Sequence, residues 1–305
     1  MRIRPCIDIH NGRVKQIVGG SLRDANGASS PEQPRSEKFE SPADAGISNR
    51  SVGAIAPAAA DGVSGTLLEN FVSARDADYY ASLYRTENLP GGHIILLNSV
   101  KDAEQYEADR RQAYLALSAY PKGMQVGGGI TPQTAGGFLS AGASHVVVTS
   151  YVFRDGMLDE EHLGEMVRAV GEKQLVLDLS CRRQEDGSYV VVTDRWQKLT
   201  RLVITPQTLD FLADYCDEFL IHAADVEGKR AGVEKTLVGI LGDWQKKSGF
   251  SVTYAGGVHT LSDLSEIAEL SGGRMDVTVG SALDLFGGNL SLAELKETAE
   301  KLAVE

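Results

Sequence analysis

The feature that most constrains the fold is a unit that occurs twice, once in each half of the chain. Each copy is an apolar run that breaks into consecutive glycines and then reaches a threonine at a predicted helix start. The copies are MQVGGGIT at residues 124–131 and VTYAGGVHT at residues 252–260. Glycines let a ligand approach the backbone closely, and a helix N-terminus presents free N–H groups with partial positive charge. Each copy therefore predicts an anion site, most simply for phosphate.

A second strand follows each glycine unit and ends in a small polar residue; these strands lie at residues 144–150 and 275–281. One isolated copy could be a plain strand-to-helix turn, but the repetition favours binding. Paired sites in the two halves indicate an internal duplication and a ligand with a phosphate at each end. The predicted phosphate-binding residues are Gly127, Gly128, Gly129, Thr149 and Ser150 in the first half, and Gly256, Gly257, Gly280 and Ser281 in the second.

Apolar runs alternate with helical segments along the rest of the chain, which is typical of parallel α/β folds. Eight strands and eight helices can be counted. We therefore predict an α/β fold, a single (β/α)8 TIM barrel over residues 1–305, made of two duplicated half-barrels. The C-terminal ends of the strands hold the active site in such barrels.

One stretch, residues 23–67, does not fit this pattern. It is rich in Ser, Pro, Ala, Gly and Asn and has no apolar period. We predict a largely disordered insertion in the first βα loop. Such an insertion could act as a lid or could simply be a tolerated surface insertion.

Two predicted strands carry an acid near their C-terminal ends, Asp8 in PCIDI and Asp178 in QLVLDLS. Strands of a parallel barrel are apolar on both faces, so a carboxylate at this end predicts a role in the active site. Either acid could instead cap a loop or be a buried structural carboxylate. Their equivalent places in the two halves favour catalysis.

The net charge and the cysteine content argue against several classes of function. The net charge of −12 argues against a nucleic-acid surface but not against a phosphorylated small molecule. Cys6, Cys181 and Cys216 are far apart and show no CxxC spacing, so we predict neither a disulfide framework nor a zinc site. No signal peptide or long apolar span is evident, which predicts a cytoplasmic protein without a membrane partner.

Other polar residues are open to two interpretations. Trp196 follows a predicted hairpin over the barrel mouth and could stack on a flat ring or anchor the hairpin by burial. His222 lies in an apolar strand, where a histidine is more often a satisfied core residue than a base. The roles of Asp225 and Glu227, in the loop that follows, stay open.

Five stretches together resemble the ProFAR isomerases of histidine biosynthesis in their eukaryotic form. They are PCIDIHNG at residues 5–12, QVGGGI at 125–130, VLDLSCR at 176–182, FLIHAADVEG at 219–228 and GSALDLFGGN at 280–289. The resemblance covers nearly the whole chain except the insertion, and the order of several motifs makes it specific.

The resemblance implies a barrel enzyme, usually monomeric, that acts on a ribotide with a phosphate at each end. The implied reaction is the Amadori rearrangement of ProFAR to PRFAR, an aldose–ketose isomerisation without a metal or organic cofactor. Asp8 matches the general base of the family and Asp178 its general acid, and the glycine strands match its phosphate sites. Arg182 and Trp196 match the loop that closes over the substrate.

The chain departs from the bacterial pattern in three places. Glu227 stands where bacterial members carry an acid before a glycine, His222 stands where they usually have threonine, and Thr149-Ser150 replaces a glycine-containing pair. Three alternatives are the related cyclase of the same pathway, phosphoribosylanthranilate isomerase and a non-catalytic phosphosugar-binding barrel. The cyclase works with a glutaminase, of which the chain has no segment, and the second family uses a cysteine where Asp8 stands.

Overall fold

The computed structural model describes residues 1–17, 69–229 and 232–303. The predicted insertion at residues 23–67 lies outside the described residues. Within them, the strand and helix order follows the alternation expected from the sequence.

Eight parallel strands form the wall of a barrel. They are β1 Cys6–His10, β2 Gly92–Leu96, β3 Met124–Gly127, β4 Val146–Val148, β5 Leu175–Asp178, β6 Glu218–His222, β7 Ser251–Ala255 and β8 Asp276–Thr278. Each pairs in parallel with the next. The ring closes where Ile3, just before β1, forms a parallel bridge to Val277 in β8. The predicted (β/α)8 barrel is confirmed.

Eight α-helices follow the strands in alternation. They are α1 Ala77–Thr86, α2 Ala103–Ala119, α3 Pro132–Ser140, α4 Glu160–Val170, α5 Pro206–Ala213, α6 Lys235–Ser248, α7 Leu261–Ser271 and α8 Leu292–Leu302. Their starts follow sequence signals. Thr131 and Thr260 are the N-caps of α3 and α7, as predicted, and each forms a capping box. Asp159 caps α4 by accepting the N–H groups of Glu161 and His162.

Several shorter strands lie outside the eight-stranded barrel wall. Arg13–Ile17 pairs antiparallel with β1, and Glu69–Val72 pairs with that strand in turn. A separate three-stranded antiparallel sheet contains Cys181–Arg183, Tyr189–Thr193 and Lys198–Val203. The predicted hairpin is therefore confirmed as an excursion outside the barrel wall. A two-residue pair, Phe153–Arg154 with Met157–Leu158, and three short 3-10 helices, Ser150–Val152, Glu172–Gln174 and Asp284–Phe286, complete the described elements.

The alternation of side chains along β6 shows how the barrel interior is layered. Phe219 and Ile221 belong to the large core between the strands and the helices. Glu218, Leu220 and His222 have the opposite parity and face inward, because successive side chains of a strand point to opposite faces. Leu220 packs against Val147 and Val176 in a small separate cluster inside the barrel. The interior thus has a polar bottom layer, an apolar middle and a polar top.

The bottom layer is a buried ionic network that also secures the ring closure. The Arg4 guanidinium contacts Asp276 of β8 at 2.8 Å and Glu218 of β6 at 3.6 Å. Glu218 also accepts hydrogen bonds from Gln125 Nε2 at 2.9 Å and Thr253 Oγ1 at 2.5 Å. These contacts join four barrel strands to the segment that precedes β1.

We predict that Arg4→Met lowers the free energy of unfolding by about 3–5 kcal/mol, because Asp276 and Glu218 would lose the cation that compensates their burial. Arg2→Met is the matched control. Arg2 also pairs with Asp276, but its side chain is 60% exposed, so its loss should cost less than about 1 kcal/mol. Urea denaturation measures both values. Equal and small losses in the two variants would contradict a stabilising role for the buried network.

Candidate active site

Both glycine units turn at the ends of parallel strands. Gly127 is the last residue of β3, and Gly128 and Gly129 follow with φ of +98° and +67°. Gly256 and Gly257 follow β7 with φ of +126° and +76°. Side chains rarely adopt these left-handed conformations, so glycine is required at both turns. Because all eight strands are parallel, both turns open on the same rim of the barrel.

Close packing reinforces this requirement. A Cβ atom at Gly128 would lie 2.1 Å from the carbonyl oxygen of Leu96. A Cβ atom at Gly257 would lie 2.0 Å from the carbonyl oxygen of Gly232. Each turn therefore packs its backbone against neighbouring backbone, at the end of β2 for Gly128 and at Gly232 for Gly257, so that the peptide groups at the rim carry no side chains of their own.

The two helix N-termini differ in how their first N–H groups are used. In the second unit, Asp263 accepts the backbone N–H groups of His259 and Thr260 at 2.9 and 2.8 Å. In the first unit, Thr131 N donates to the hydroxyl of Thr134 at 3.0 Å. An anion at the second unit would therefore be bound by amides other than those of His259 and Thr260, among them the glycine N–H groups.

The strands next to the glycine units end on the same rim. Thr149 precedes the 3-10 helix Ser150–Val152, and the Ser150 hydroxyl accepts the backbone N–H of Asp194 at 3.1 Å. Gly280 and Ser281 follow β8, and a Cβ atom at Gly280 would lie 2.3 Å from Oε1 of Gln16. The structure thus brings each predicted pair of phosphate-binding strands together on the rim.

We predict that Gly128→Ala lowers the free energy of unfolding by roughly 2 kcal/mol or more, because the new methyl group meets a backbone carbonyl and φ is left-handed. Gly136→Ala is the control. Gly136 is exposed in α3 and nothing lies within 4 Å of an added Cβ, so this change should stabilise by up to about 1 kcal/mol. Chemical denaturation distinguishes the two. Similar stabilities for both variants would contradict the described turn.

The two predicted catalytic acids lie on opposite walls of the barrel. Asp8 is in β1 and Asp178 is the last residue of β5, four strands away along the ring. Both act electrostatically on His222, the last residue of β6. Glu227, in the loop after β6, acts on Asp8 and His222 as well. Four titratable side chains therefore converge at the top of the barrel.

Asp178, Ser180 and His222 form a hydrogen-bonded group, called here the β5–β6 triad. The Ser180 hydroxyl donates to Asp178 Oδ1 at 2.5 Å, and the Ser180 backbone N–H donates to the same oxygen at 2.8 Å. The Ser180 oxygen lies 3.1 Å from His222 Nδ1, and Asp178 Oδ1 lies 3.7 Å from that nitrogen. The carboxylate side chain is 15% exposed and the imidazole 10%.

The environments of the two aspartates push their pKa values apart. Burial raises the pKa of Asp8 to about 7, the charge of Glu227 adds to the rise and His222 opposes it. Burial also acts to raise the pKa of Asp178, but the nearby His222 imidazole and the hydrogen bonds from Ser180 outweigh it and hold that pKa below its usual value. Asp178 is therefore ionised at neutral pH, while Asp8 is poised between its two states.

The His222 ring is held between two other rings. Trp196 lies 5.6 Å away between ring centroids, and His93 of β2 lies 5.6 Å away in an edge-on arrangement. Burial, with the charge of His222, lowers the pKa of His93 to about 3, so that ring is neutral. The structure places Trp196 against the site, and its side chain is only partly buried.

The loop that carries Trp196 has an uncommon backbone. Asp194, Arg195 and Trp196 have φ of 50°, 56° and 65°, a run of left-handed conformations in residues other than glycine. Arg182, in the same small sheet, lies with its Nε atom 3.8 Å from Asp225 Oδ1. Both side chains predicted on the closing loop are thus near the rim, and Asp225 positions one of them.

Single positions in the sequence do not reveal the role of Ser180, nor the placement of His222 and Glu227 close to the two aspartates. His222 is buried, as expected of a core histidine, but it contacts the catalytic candidate Asp178. The register between β5 and β6 determines which residues lie next to Asp178. Leu220 of β6 pairs with Asp178 of β5, so the residues two positions further on, His222 and Ser180, lie side by side.

The residues that the structure describes carry neither a metal-binding cluster nor a membrane-spanning helix. Among them, no group of three or more His, Cys, Asp and Glu side chains could hold a metal ion. None of the helices in this part of the chain is both long and apolar enough to cross a membrane. Cys6, Cys181 and Cys216 are free and buried.

We predict that Asp8→Asn and Asp178→Asn change stability in opposite directions at pH 8. The folded pKa of Asp8 is above the unfolded value, so wild-type stability falls as pH rises from about 4 to about 7. Asn removes this loss, and the variant should gain roughly 1–4 kcal/mol at pH 8 and nothing below pH ~4. The folded pKa of Asp178 is lowered, so its stabilisation exists above the unfolded pKa and Asn removes it.

Urea denaturation of the two variants and the wild type between pH 4 and 8 measures these differences. The free-energy difference from wild type is compared at each pH, so that contributions from other groups cancel. A shift in the same direction for both variants at pH 8 would contradict the opposite environments described for the two carboxylates.

This chain is similar to known proteins of one family. The profile of the family described as "Histidine biosynthesis protein" matches residues 58–290. A relative from Medicago truncatula is 42% identical over 97% of this chain and 80% of its own length. Relatives from Neurospora crassa and Saccharomyces cerevisiae are 39% and 37% identical over 94% and 93% of this chain, and over 93% and 92% of their own lengths.

All three relatives carry the name 1-(5-phosphoribosyl)-5-((5-phosphoribosylamino)methylideneamino) imidazole-4-carboxamide isomerase, which is the ProFAR isomerase. The name of the plant relative also places that protein in the chloroplast.

Proposed function

The chain belongs to the histidine biosynthesis protein family, and from this premise we propose that it is the isomerase that converts ProFAR to PRFAR on the pathway to L-histidine. The observation that carries the proposal is the convergence of Asp8 and Asp178 on one histidine, on the rim where both glycine turns open. Isomerisation of a bis-phosphorylated sugar derivative requires two anion sites with acid and base groups between them.

The substrate is held at its two ends. One phosphate binds at Gly127, Gly128, Gly129, Thr149 and Ser150, and the other at Gly256, Gly257, Gly280 and Ser281. Both sets lie at strand ends of the same rim, which supports this assignment. Binding energy from the two phosphates positions the ribose between the acids and is used for the chemistry. Arg182 and Trp196 cover the substrate from the small three-stranded sheet.

The rearrangement needs a proton donor and a proton acceptor in sequence. The donor protonates the ribose ring oxygen as its bond to C1′ breaks, and the nitrogen lone pair forms a C=N bond. The acceptor then removes the proton from C2′, and the enol that results becomes a ketone. Asp8 is the base, and its pKa of about 7 suits that task near neutral pH. The acid function belongs to Asp178 and the groups hydrogen-bonded to it.

The reaction moves electrons only within the substrate, so it requires no organic cofactor and no external electron acceptor. Metal-independent catalysis stays a prediction from the resemblance to the isomerase family. The assignment of the chain as a monomer and as a cytoplasmic protein likewise stays a prediction, and the chloroplast name of the plant relative makes a second compartment an alternative for members of this family.

The related cyclase is disfavoured because the relatives described above all carry the isomerase name. A non-catalytic phosphosugar-binding barrel is disfavoured by the cost of burying several carboxylates beside a histidine, which a mere binding site for phosphate groups does not need.

We predict that Asp8→Asn and Asp178→Asn each lower kcat at least about 100-fold, because each disables one of the two proton transfers. The dissociation constant of PRFAR should stay within about three-fold, since the phosphate sites are intact. Spectrophotometric turnover of ProFAR and calorimetric titration with PRFAR measure these quantities. Asp243→Asn is the control, because that side chain is 76% exposed on α6, and it should leave kcat unchanged. Near-normal turnover in either site variant would remove that residue from its role.

A further inference from the structure

The β5–β6 triad does more than support one aspartate. We propose that His222 is a catalytic residue that delivers the proton for ring opening from its Nε2 atom, while Asp178 and Ser180 position its ring. This inference rests on the proposed isomerase function and refines it, because the acid role passes from the carboxylate to the imidazole.

Ser180 determines which proton the Nδ1 atom of His222 carries. The Ser180 hydroxyl has one hydrogen, and the 2.5 Å contact with Asp178 Oδ1 shows where it points. Asp178 is ionised and can only accept there. The Ser180 oxygen can therefore only accept from His222 Nδ1, which lies 3.1 Å away. Nδ1 carries a hydrogen, and any proton that the ring gains or loses is on Nε2.

The Nε2 atom of His222 has different surroundings. In the described part of the chain, no residue makes a hydrogen bond to Nε2, whereas Nδ1 has both Ser180 and Asp178 beside it. His93 and Trp196 flank the ring and fix its orientation. His222 ends β6 at the rim, so Nε2 is the ring atom that a substrate bound at the top of the barrel can reach.

Carboxylates surround the His222 imidazole. Three carboxylates act on it from three elements: Asp178 from β5, Asp8 from β1 and Glu227 from the loop after β6. His93 from β2 is neutral, and Trp196 carries no charge. Burial alone would lower the pKa of His222, but the Asp178 carboxylate, 3.7 Å from Nδ1, and the charges of Glu227 and Asp8 raise it above its ordinary value. The balance of these effects favours the doubly protonated ring.

Asp178 is poorly suited to hold the proton itself. Its carboxylate accepts two hydrogen bonds from Ser180 and faces the imidazolium, and both interactions favour its ionised form. A carboxylate with a lowered pKa holds no proton to donate near neutral pH. It can instead fix the tautomer of the histidine and balance its charge, as a buried carboxylate does beside a catalytic histidine.

The proton balance closes over one turnover. The imidazolium gives its Nε2 proton to the ribose oxygen as the C1′–O bond breaks, and the electron pair of that bond stays on the oxygen. Asp8 takes the C2′ proton, and the electrons of that C–H bond neutralise the C=N group. When the enol becomes the ketone, Asp8 returns its proton to C1′ and the neutral His222 ring takes the proton from the C2′ hydroxyl. Both groups regain their starting states.

The test uses His222→Asn and His222→Gln in the full-length chain. The Asn amide nitrogen replaces Nδ1 and can keep the hydrogen bond to Ser180, but it cannot deliver a proton. We expect kcat to fall at least about 100-fold, with KM within a few-fold. The ring contacts with His93 and Trp196 are lost in this variant, so the pH profile is needed to separate proton delivery from packing. If His222→Asn does not fold, as judged by circular dichroism, His222→Gln supplies the same measurement.

The pH profile separates proton delivery from positioning. In the wild type, kcat/KM should fall at high pH as the imidazolium loses its proton, and this basic limb should disappear in the variant. The acidic limb should move to higher pH, because loss of the positive ring raises the pKa of Asp8 further. Nitrogen-15 NMR of labelled histidine in the free wild-type protein should show both ring nitrogens of His222 protonated at pH 7.

The outcomes are distinguishable. Wild-type protein that does not convert ProFAR would overturn the proposed function, whatever the NMR result. Wild-type turnover together with a variant whose kcat is within about three-fold and whose basic limb is unchanged would overturn the role of His222 alone. An NMR signal of a neutral ring at pH 7 would do the same.

Discussion

The closed ring of parallel strands is the constraint on which the rest of the structure depends. Closure is made by the few residues before β1, through the bridge of Ile3 to Val277 and the Arg4 guanidinium beneath it. Once the ring is closed, all eight strands end on one rim. Two glycine turns far apart in sequence then face the same space, and Asp8 and Asp178 approach it from opposite walls. No local interaction between these segments is needed to bring them together.

Much of this arrangement could be predicted from the sequence, because it depends on local patterns. The strand–glycine–helix unit has its own physical signature in φ, capping and apolar period, and the Thr131 and Thr260 caps lie where that signature places them. An acid at the end of an apolar strand is conspicuous for the same reason. The insertion at residues 23–67 stays a prediction, and its two possible roles, as a lid or as a tolerated surface insertion, stay open.

The rest could not be predicted from single positions, because it depends on register between strands. His222 in an apolar run has the signature of an ordinary buried histidine. Its partner Ser180 lies outside the regular strand, and Glu227 lies in a loop whose path the local pattern does not determine. Only the pairing of Leu220 with Asp178 brings Ser180 and His222 level. The different protonation of two chemically identical aspartates follows from such neighbours and not from the residues themselves.

The layering along β6 has a consequence for how the molecule can change. Glu218 and His222 lie on the same face of one strand, yet Leu220 with Val147 and Val176 separates them by an apolar floor. The ionic network beneath that floor and the titrating groups above it therefore share a strand without sharing a hydrogen-bond path through Leu220. Because of this separation, substitutions at the bottom of the barrel can change its stability while the pKa values of the titrating groups at the top stay the same.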